Sequence, residues 1–415
     1  WDGSFITEWF RMGSEGVTIK GRGSAENPAN RFEKIEFEPS EEEIAEGLSP
    51  KTVFYRDATK SIISYNDSPD DGFNAGINPY RGCEHGCIYC YARPTHEYFG
   101  LSVGLDFETK IFVKEDAPAL LRKELSSRKY VPDTIVVSGN TDCYQPAERR
   151  FGLTRACLEV LLEFRNPAGI ITKNYLVTRD IDLLRQFAEW DGIMVAVSVT
   201  TLDPEIKRAM EPRTSEPCLR LRAIEELTKA GVPVMVMVAP VVPGLTDHEI
   251  PAIIKSAADA GAVNAGFVML RLPYGVSDIF QAWLGRHFPD RKDKVLNRVR
   301  AVRDGKLNSP DFYSRMRGEG IYAEQARDMF ELACRKARAF QNVTAHRAVQ
   351  SQLQRFLGHQ PYQRLNGTAV TISIWTSCGM AFRYPAFIFL KVFRLFAGRT
   401  SFMVALFENI GAWEP

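Results

Sequence analysis

Residues 169–199 read GIITKNYLVTRDIDLLRQFAEWDGIMVAVSV, and this stretch decides the predicted fold. It begins and ends with short apolar, β-branched runs, at Gly169–Thr172 and at Ile193–Val199. Between these runs, Ile181–Trp190 has the spacing of apolar residues that is typical of an amphipathic helix. A strand, a helix and a second strand within about thirty residues predict one βαβ unit, whose two strands run parallel.

The same alternation continues on both sides of this unit. Further apolar strands are predicted at Thr134–Val137, Val232–Val238 and Val263–Leu270. Further helices are predicted at Ala117–Leu125, Thr154–Phe164, Cys218–Ala230 and His248–Ala260. Together with a short strand before Cys83, the pattern gives six βα units, and near-continuous apolar strands indicate a parallel sheet covered by helices. We therefore expect an α/β fold, a partial (β/α)6 TIM-like barrel, with an open doubly wound sheet as the alternative.

The barrel is expected to occupy residues 71–305, and residues 306–342 are expected to form a helical C-terminal part of the core. Residues 1–70 are predicted to be an N-terminal extension. From Asn366 to Pro415 the chain has only four basic and two acidic residues, and no helical or strand period organises it. Residues 343–415 are therefore predicted to be an irregular, hydrophobic tail that is either disordered or placed on a membrane or a partner protein.

The composition excludes several classes of protein. Of the 415 residues, 45% are hydrophobic and 25% are charged, which is typical of a globular protein and excludes wholesale disorder. The net charge of +1 excludes a globally basic nucleic-acid coat protein, although Gly285–Arg317 is locally basic, with ten Lys or Arg against four Asp. The sequence has no GxxxxGK[ST], HExxH or GxSxG motif, which argues against nucleotide hydrolysis, metalloprotease and α/β-hydrolase chemistry.

Three of the eight cysteines lie close together in residues 83–90, Cys-Glu-His-Gly-Cys-Ile-Tyr-Cys. The other five are scattered, so we predict a thiolate metal site in a reducing compartment rather than a disulfide scaffold. A structural zinc site is one alternative, but it usually needs four ligands, and His85 is the available fourth. Three thiolates on one loop suit a [4Fe–4S] cluster with one iron left open, whereas electron-transfer clusters are normally held by four cysteines.

The CxxxCxxC spacing resembles that of the radical S-adenosylmethionine superfamily. Three further stretches resemble its spore-photoproduct-lyase-like, DNA-repair-lyase-related branch: NPYRGC…CYARPTHE at 78–97, GNTDCYQPAE at 139–148 and SRMRGEG at 314–320. The resemblance covers about residues 18–340. It implies that a [4Fe–4S] cluster on Cys83, Cys87 and Cys90 binds S-adenosylmethionine at its open iron. One electron from the cluster then cleaves this cofactor to a 5′-deoxyadenosyl radical, which abstracts hydrogen from the substrate.

The resemblance also implies which residues bind the cofactor. Tyr89, directly before the last cysteine of the motif, matches the position that packs near the adenine, with loop packing as the alternative. Ser138, Gly139 and Asn140 follow the strand predicted at 134–137 and match the segment whose backbone holds the methionine amino group. Glycine at this position permits a close approach of the ligand to the backbone.

Polar residues also follow the next strands of the predicted barrel, where functional groups gather. Lys173 and Ser198 end two consecutive strands, and the resemblance implies that they hold the methionine carboxylate, as a cation and a hydroxyl donor should. Ordinary hydrogen bonding at the barrel rim is the alternative. Arg213 is interpreted either as a contact to the ribose or carboxylate, or as one partner of a salt bridge in solvent.

Cys143 and Tyr144 are interpreted as candidate catalytic residues. Spore photoproduct lyases use a cysteine just after the second strand as a hydrogen-atom donor. Asn140 occupies the matching position here, and Cys143 follows three residues later, which argues against spore-photoproduct repair itself. Cys143 is either a radical relay, with Tyr144 sharing the radical, or a buried small hydrophobic residue.

Two functions from different classes are compatible with these features. The first is a lyase-like radical S-adenosylmethionine enzyme that acts on a nucleic-acid base or lesion, with DNA or RNA as a partner. It requires a flavodoxin- or ferredoxin-like electron donor. The second is a non-enzymatic iron–sulfur electron carrier or metal-binding module. Neither a secretory signal nor a membrane span is visible in the sequence, so we expect a cytoplasmic monomer.

Overall fold

The computed structural model describes residues 19–32 and 51–337 of the chain. The predicted tail at 343–415 and part of the predicted extension at 1–70 lie outside these residues. The strands are β1 (Val53–Arg56), β2 (Ile63–Tyr65), β3 (Ala75–Ile77), β4 (Tyr80–Arg81), β5 (Lys110–Val113), β6 (Ile135–Val137), β7 (Ala168–Thr172), β8 (Ile193–Ser198), β9 (Val234–Val241) and β10 (Asn264–Met269).

Helices alternate with these strands along most of the chain. The α-helices are α1 (Leu105–Thr109), α2 (Ala117–Leu125), α3 (Glu148–Phe151), α4 (Leu153–Glu163), α5 (Ile181–Ala188), α6 (Pro204–Met210), α7 (Pro217–Lys229), α8 (Ile250–Asp259), α9 (Val276–His287), α10 (Lys292–Ala301), α11 (Ser314–Arg317) and α12 (Ile321–Ala337). Short 3₁₀ helices lie at Arg93–Phe99, Tyr175–Asp180, Asp247–Glu249 and Pro289–Arg291.

The main sheet has the strand order β10-β9-β8-β7-β6-β3-β2. Its pairs from β3 to β10 are all parallel, and only β2 pairs antiparallel, with β3. The parallel part contains six strands, and helices lie on each of the five connections between consecutive strands of this part. The predicted α/β architecture, an open and partial (β/α)6 barrel, is confirmed.

Burial explains why these segments form strands and helices. β6 is buried throughout, and every residue of β8 except Met194 is buried, as expected for strands covered on both faces. In α5 the buried residues are Leu183, Leu184 and Phe187, which occupy one face of the helix. These strands and helices share one large hydrophobic core with α8 and α12. Apolar burial is the main contribution that holds the sheet and its helices together.

A second, smaller sheet lies beside the barrel and leads into the cysteine motif. It has the order β1-β5-β4, with β1 parallel and β4 antiparallel to β5. β4 ends two residues before Cys83, so this sheet positions the start of the motif. Residues of the predicted N-terminal extension thus contribute β1 and β2 to the two sheets, while the predicted domain boundaries stay a prediction. In residues 19–32 and 51–337, no helix is both long enough and apolar enough to cross a membrane.

Candidate functional site

The cysteine loop, residues 82–91, carries the three thiols of the motif. Cys83 and Cys87 are buried, Cys90 is half-buried, and none of the three forms a disulfide. Gly82 and Gly86 have positive φ angles of 78° and 67°, which glycine adopts without strain. A Cβ atom at Gly86 would lie 2.7 Å from Glu108 Oε2, so the loop passes close to that carboxylate. The positive φ angles of these two glycines let the backbone of the loop change direction within a few residues.

A buried ion pair, Arg93 with Glu108, contacts the cysteine loop and holds it in place. The guanidinium of Arg93 is fully buried and pairs with Glu108, which is also fully buried. Arg93 Nε donates to the carbonyl of Cys87 at 3.0 Å. Glu108 accepts hydrogen bonds from the backbone N–H groups of Gly23, at 3.0 Å, and Ser24, at 2.9 Å. The pair therefore connects the loop with the N-terminal segment 19–32.

His85 is committed to hydrogen bonding within the protein. Its Nδ1 lies 3.3 Å from Asp142 Oδ2, and its Nε2 lies 3.1 Å from Asn174 Nδ2. Both ring nitrogens therefore have partners, which argues against His85 as the fourth ligand of a zinc ion. Asp142 also accepts the backbone N–H of Lys173 at 2.7 Å, so it ties the cysteine loop to the end of β7.

The three thiols fit an iron–sulfur cluster by the chemistry of their donor set. Burial raises the pKa of Cys83, Cys87 and Cys90, so they are protonated until a metal replaces the protons. Across the described part of the chain, no three His, Cys, Asp or Glu side chains converge on a point where one metal ion could bind. A [4Fe–4S] cluster does not need this convergence, because each cysteine binds a different iron.

The segment Ser138–Asn140 follows β6 and has an unusual backbone. The φ angles of Ser138 and Gly139 are 126° and 121°, and at Ser138 this is strained because the residue has a Cβ atom. A Cβ atom built on Gly139 would meet only Phe73, at 3.9 Å, so the space beside Gly139 is open. Asn140 is held through its N–H, which donates to Asn78 Oδ1 at 3.1 Å. The open backbone fits the close approach of a cofactor.

Lys173 and Tyr89 lie together beside the cysteine loop. The Nζ atom of Lys173 is 5.9 Å from the centroid of the Tyr89 ring. The positive charge of Lys173 acts on the thiols of Cys87 and Cys90 and lowers the pKa of each, against the larger effect of burial. Ser198 lies buried at the end of β8. The structure thus brings Lys173 and Tyr89 to the cysteines, at the carboxyl ends of the strands.

A buried charge pair, Glu211 and Arg220, lies behind Tyr89. Glu211 accepts hydrogen bonds from the Tyr89 hydroxyl, from Thr200 Oγ1 at 2.7 Å and from the Arg220 guanidinium. Burial alone would raise the pKa of Glu211, but the charges of Arg220 and Lys173 lower the pKa to about 2. Arg220 also donates to the carbonyl of Ser198 at 3.1 Å. The pair therefore fixes Tyr89 and the end of β8 to each other.

Arg213 contacts the outer part of the cysteine loop. Its Nη1 lies 3.2 Å from Glu84 Oε1, and its backbone N–H donates to the carbonyl of His85 at 3.2 Å. The observed contact is therefore a salt bridge within the protein, and a contact of Arg213 with the cofactor stays a prediction.

Cys143 and Tyr144 lie in the large hydrophobic core. Both side chains are fully buried. The Tyr144 hydroxyl donates to Asp180 Oδ2 at 3.0 Å, and the Cys143 carbonyl accepts from Thr154 Oγ1 at 2.6 Å. Burial, with nearby Asp142, raises the pKa of the Cys143 thiol well above its usual range. Their place in the core agrees with the alternative in which Cys143 is a buried small hydrophobic residue. A role of either residue in turnover stays a prediction.

Much of the basic segment Gly285–Arg317 is used inside the fold. Arg286 pairs with Glu26, Arg298 with Asp247 and Arg315 with Asp70. Arg303 donates to the carbonyls of Met269, Leu270 and Ser314. These arginines stabilise the protein itself, so the local excess of positive charge in the sequence is not by itself a nucleic-acid surface.

The sequence contains a signal for the buried Arg220, which was not among the predicted site residues. In α7 the buried residues are Pro217, Arg220, Ala223, Ile224 and Leu227, which recur at helical spacing. An arginine on the face of a helix that is otherwise apolar predicts a buried cation with a carboxylate partner. For Glu211 and Arg93, no comparable periodic pattern surrounds the residue.

Comparison with known proteins identifies what this chain is similar to. The sequence profile of the Radical SAM superfamily matches residues 77–257, which include the cysteine loop, Lys173 and Ser198. An uncharacterized protein of Mycobacterium tuberculosis is 37% identical over 248 residues, or 59% of this chain and 72% of that protein. An uncharacterized protein of Methanocaldococcus jannaschii is 31% identical over 173 residues, which is 42% of this chain and 62% of that protein. Among solved structures, a mutant of spore photoproduct lyase is similar over 80% of this chain and 90% of its own, with 16% identity and a TM-score of 0.48.

Proposed function

Since the chain belongs to the radical S-adenosylmethionine superfamily and is an enzyme of that class, we propose that Cys83, Cys87 and Cys90 bind a [4Fe–4S] cluster with one iron open to S-adenosylmethionine. The observation that carries this proposal is the set of three free thiols on one loop, while both nitrogens of nearby His85 are engaged elsewhere. When bound, the two groups supply a 5′-deoxyadenosyl radical that takes a hydrogen atom from the substrate. Membership of an enzyme family disfavours the electron-carrier alternative.

The residues around the loop would hold the cofactor and fix its orientation. Lys173 would supply a positive charge for the methionine carboxylate, and Ser198 a hydroxyl donor at the adjacent strand end. The open space beside Gly139 would let the methionine amino group approach the backbone of Ser138–Asn140. Tyr89 is anchored through its hydroxyl to Glu211, so its ring is held in place beside Lys173. A rigid ring and a fixed cation position a ligand at low entropic cost.

Anaerobic reconstitution followed by detection of 5′-deoxyadenosine tests the proposed function. The reconstituted protein, S-adenosylmethionine and dithionite should yield 5′-deoxyadenosine, and the yield should depend on the cluster. In the cell we propose that a flavodoxin- or ferredoxin-like protein supplies the electron. A reconstituted protein that binds about four irons and never cleaves the cofactor would contradict the enzyme proposal and favour an electron carrier.

Lys173→Ala is expected to weaken S-adenosylmethionine binding about ten- to a hundred-fold, because one charge-assisted contact is lost. Iron content should stay unchanged, since Lys173 is not a cluster ligand. Calorimetric titration of the reconstituted protein measures the affinity. Lys229→Ala is the matched control, because Lys229 is an exposed lysine on α7. Equal affinity in the two variants would show that Lys173 only forms part of the barrel rim.

Cys143→Ala is expected to form 5′-deoxyadenosine at the rate of the unsubstituted protein, because its side chain lies in the core. The same variant should lose about 1 kcal/mol of unfolding free energy. Once a substrate is found, product formation separates the two interpretations of this residue. Failed or altered product with intact cofactor cleavage would support hydrogen donation by Cys143, and normal product would assign it to packing.

A further inference from the structure

A polar cavity lies beside the barrel mouth, apart from the cysteine loop. Its volume is about 410 Å³. The residues that line it come from the β1–β2 connection, β2, the β3–β4 turn with β4, the 3₁₀ helix after the cysteine loop, the start of the connection after β5 and the loop after β6. They are Thr59, Ser61, Ser64, Asn78, Tyr80, Arg81, Thr95, Tyr98, Phe99, Lys114, Asn140 and Thr141. Two of these side chains are cationic, none is a carboxylate, and most of the others offer hydroxyl or amide groups.

Lys114 is the residue whose surroundings indicate that the cavity binds a ligand. It follows β5, and only 7% of its surface is exposed. Within residues 19–32 and 51–337, no carboxylate lies within ion-pair distance of its ammonium and no acceptor is hydrogen-bonded to it. The carboxylate that acts on its charge, Asp57, is paired with Arg81 at 2.5 Å. Burial, with a contribution from Arg81, lowers the pKa of Lys114 to about 8, so the ammonium is still charged at neutral pH.

A buried cation without a partner destabilises a protein, so its presence at a cavity wall favours an anionic ligand. A tetrahedral phosphate accepts hydrogen bonds from several directions, which suits a cavity that Lys114 lines together with the hydroxyl residues Thr59, Ser61 and Ser64. At the edge of the cavity, Tyr98 is 73% exposed and offers an aromatic face to whatever is attached to the anion. The cavity thus combines charge, hydroxyl donors and an exposed ring.

We propose that this cavity binds the phosphate group of a phosphorylated ligand, with Lys114 as its principal cationic contact. Asn140 and Thr141 line the cavity and also belong to the loop that follows β6, so the phosphate would lie next to the proposed cofactor site. That the ligand is the substrate rests on the proposed function, whereas phosphate binding itself does not. The phosphate belongs either to a small phosphorylated molecule or to the backbone of a nucleic-acid strand.

Calorimetric titration of the full-length, reconstituted protein tests this proposal. The probes are inorganic phosphate, ribose 5-phosphate and a short single-stranded oligothymidylate, with ribose and thymidine as uncharged controls. At least one phosphorylated probe should bind, and the uncharged probes should not. Tighter binding of ribose 5-phosphate identifies a small ligand, and tighter binding of the oligothymidylate identifies a strand. Failure of every phosphorylated probe at millimolar concentration overturns the proposal, whether or not the protein cleaves S-adenosylmethionine.

Lys114→Met should weaken binding of the phosphorylated probe about ten- to a hundred-fold. Lys123→Met, at an exposed lysine on α2, is the control with the same change in charge and should bind normally. Because Lys114→Met removes a buried unpaired charge, its melting temperature without ligand should be no lower than that of the control. Ser64→Ala, at an exposed residue of the cavity wall, should weaken binding by a smaller factor. Equal affinity of Lys114→Met and Lys123→Met would overturn the assignment.

Discussion

Cys83→Ala, Cys87→Ala and Cys90→Ala are each expected to abolish 5′-deoxyadenosine formation. Three thiols hold the proposed cluster, and loss of one leaves two irons without a protein ligand. Iron and sulfide analysis after anaerobic reconstitution should show about four irons per chain in the unsubstituted protein and a clear deficit in each variant. Cofactor cleavage, measured on the same samples, should fall to the background level.

Cys218→Ala is the matched control for these three variants, because Cys218 is an exposed free cysteine outside the motif. It should bind iron and cleave the cofactor normally. The far-ultraviolet circular dichroism of each variant must match that of the control, since the loop is packed against other elements and its loss could unsettle them. Full iron content in any of the three motif variants, or stoichiometric zinc without iron in the unsubstituted protein, would contradict the cluster assignment.

Arg220→Met is expected to lower the free energy of unfolding by about 3–5 kcal/mol, because it leaves the buried carboxylate of Glu211 without its cation. The guanidinium is 1% exposed, and it also donates to Ser215 and Thr214. Methionine fills a similar volume, so the loss reports on charge and hydrogen bonding more than on a cavity. Urea denaturation under anaerobic conditions measures the change.

Arg222→Met provides the comparison for this experiment, because Arg222 lies two residues further along α7. Its side chain is 62% exposed and pairs with Glu226. An exposed ion pair contributes about 0–1 kcal/mol, so this variant should be nearly as stable as the unsubstituted protein. The double variant Arg220→Met with Glu211→Gln should recover part of the stability, since no uncompensated charge is then buried. Equal decreases in the free energy of unfolding for Arg220→Met and Arg222→Met would show that the buried ion pair stabilises the protein no more than the exposed one.

The barrel could be predicted from the sequence because its strands and helices are local patterns. The helix predicted at Ala117–Leu125 is α2 with the same bounds, and the strand predicted at Ile193–Val199 is β8, which ends at Ser198. The strand predicted at Val232–Val238 begins later and continues to Val241 as β9. Apolar, β-branched runs bounded by amphipathic helices are a strong signal when they repeat. The cysteine motif was equally local, since three thiols within eight residues need no knowledge of the fold.

Features that depend on contacts between distant residues could not be predicted in this way. In the sheet β1-β5-β4, β1 pairs with a strand that begins more than fifty residues later in the sequence, and each of the three strands has at most four residues. Helical spacing places Arg220 on the apolar face of α7, but its partner Glu211 lies on another segment, and only tertiary packing brings the two together. The Lys114 cavity depends on six separate segments meeting at one place. Such sites follow from tertiary packing, which a local pattern does not encode.

One of the contacts that hold the cysteine loop, between Tyr89 and Glu211, can form only late in protein synthesis. Tyr89 in the loop and its partner Glu211 are 122 residues apart in the sequence. A ribosome that adds about 5–20 residues per second needs on the order of ten seconds to pass from one to the other. Until then the nascent chain presents three thiols on a segment that lacks its contact with Glu211, although Arg93 and Glu108 are already translated. If the loop binds the proposed cluster, we therefore expect iron to enter after Glu211 has been translated rather than when the motif first emerges.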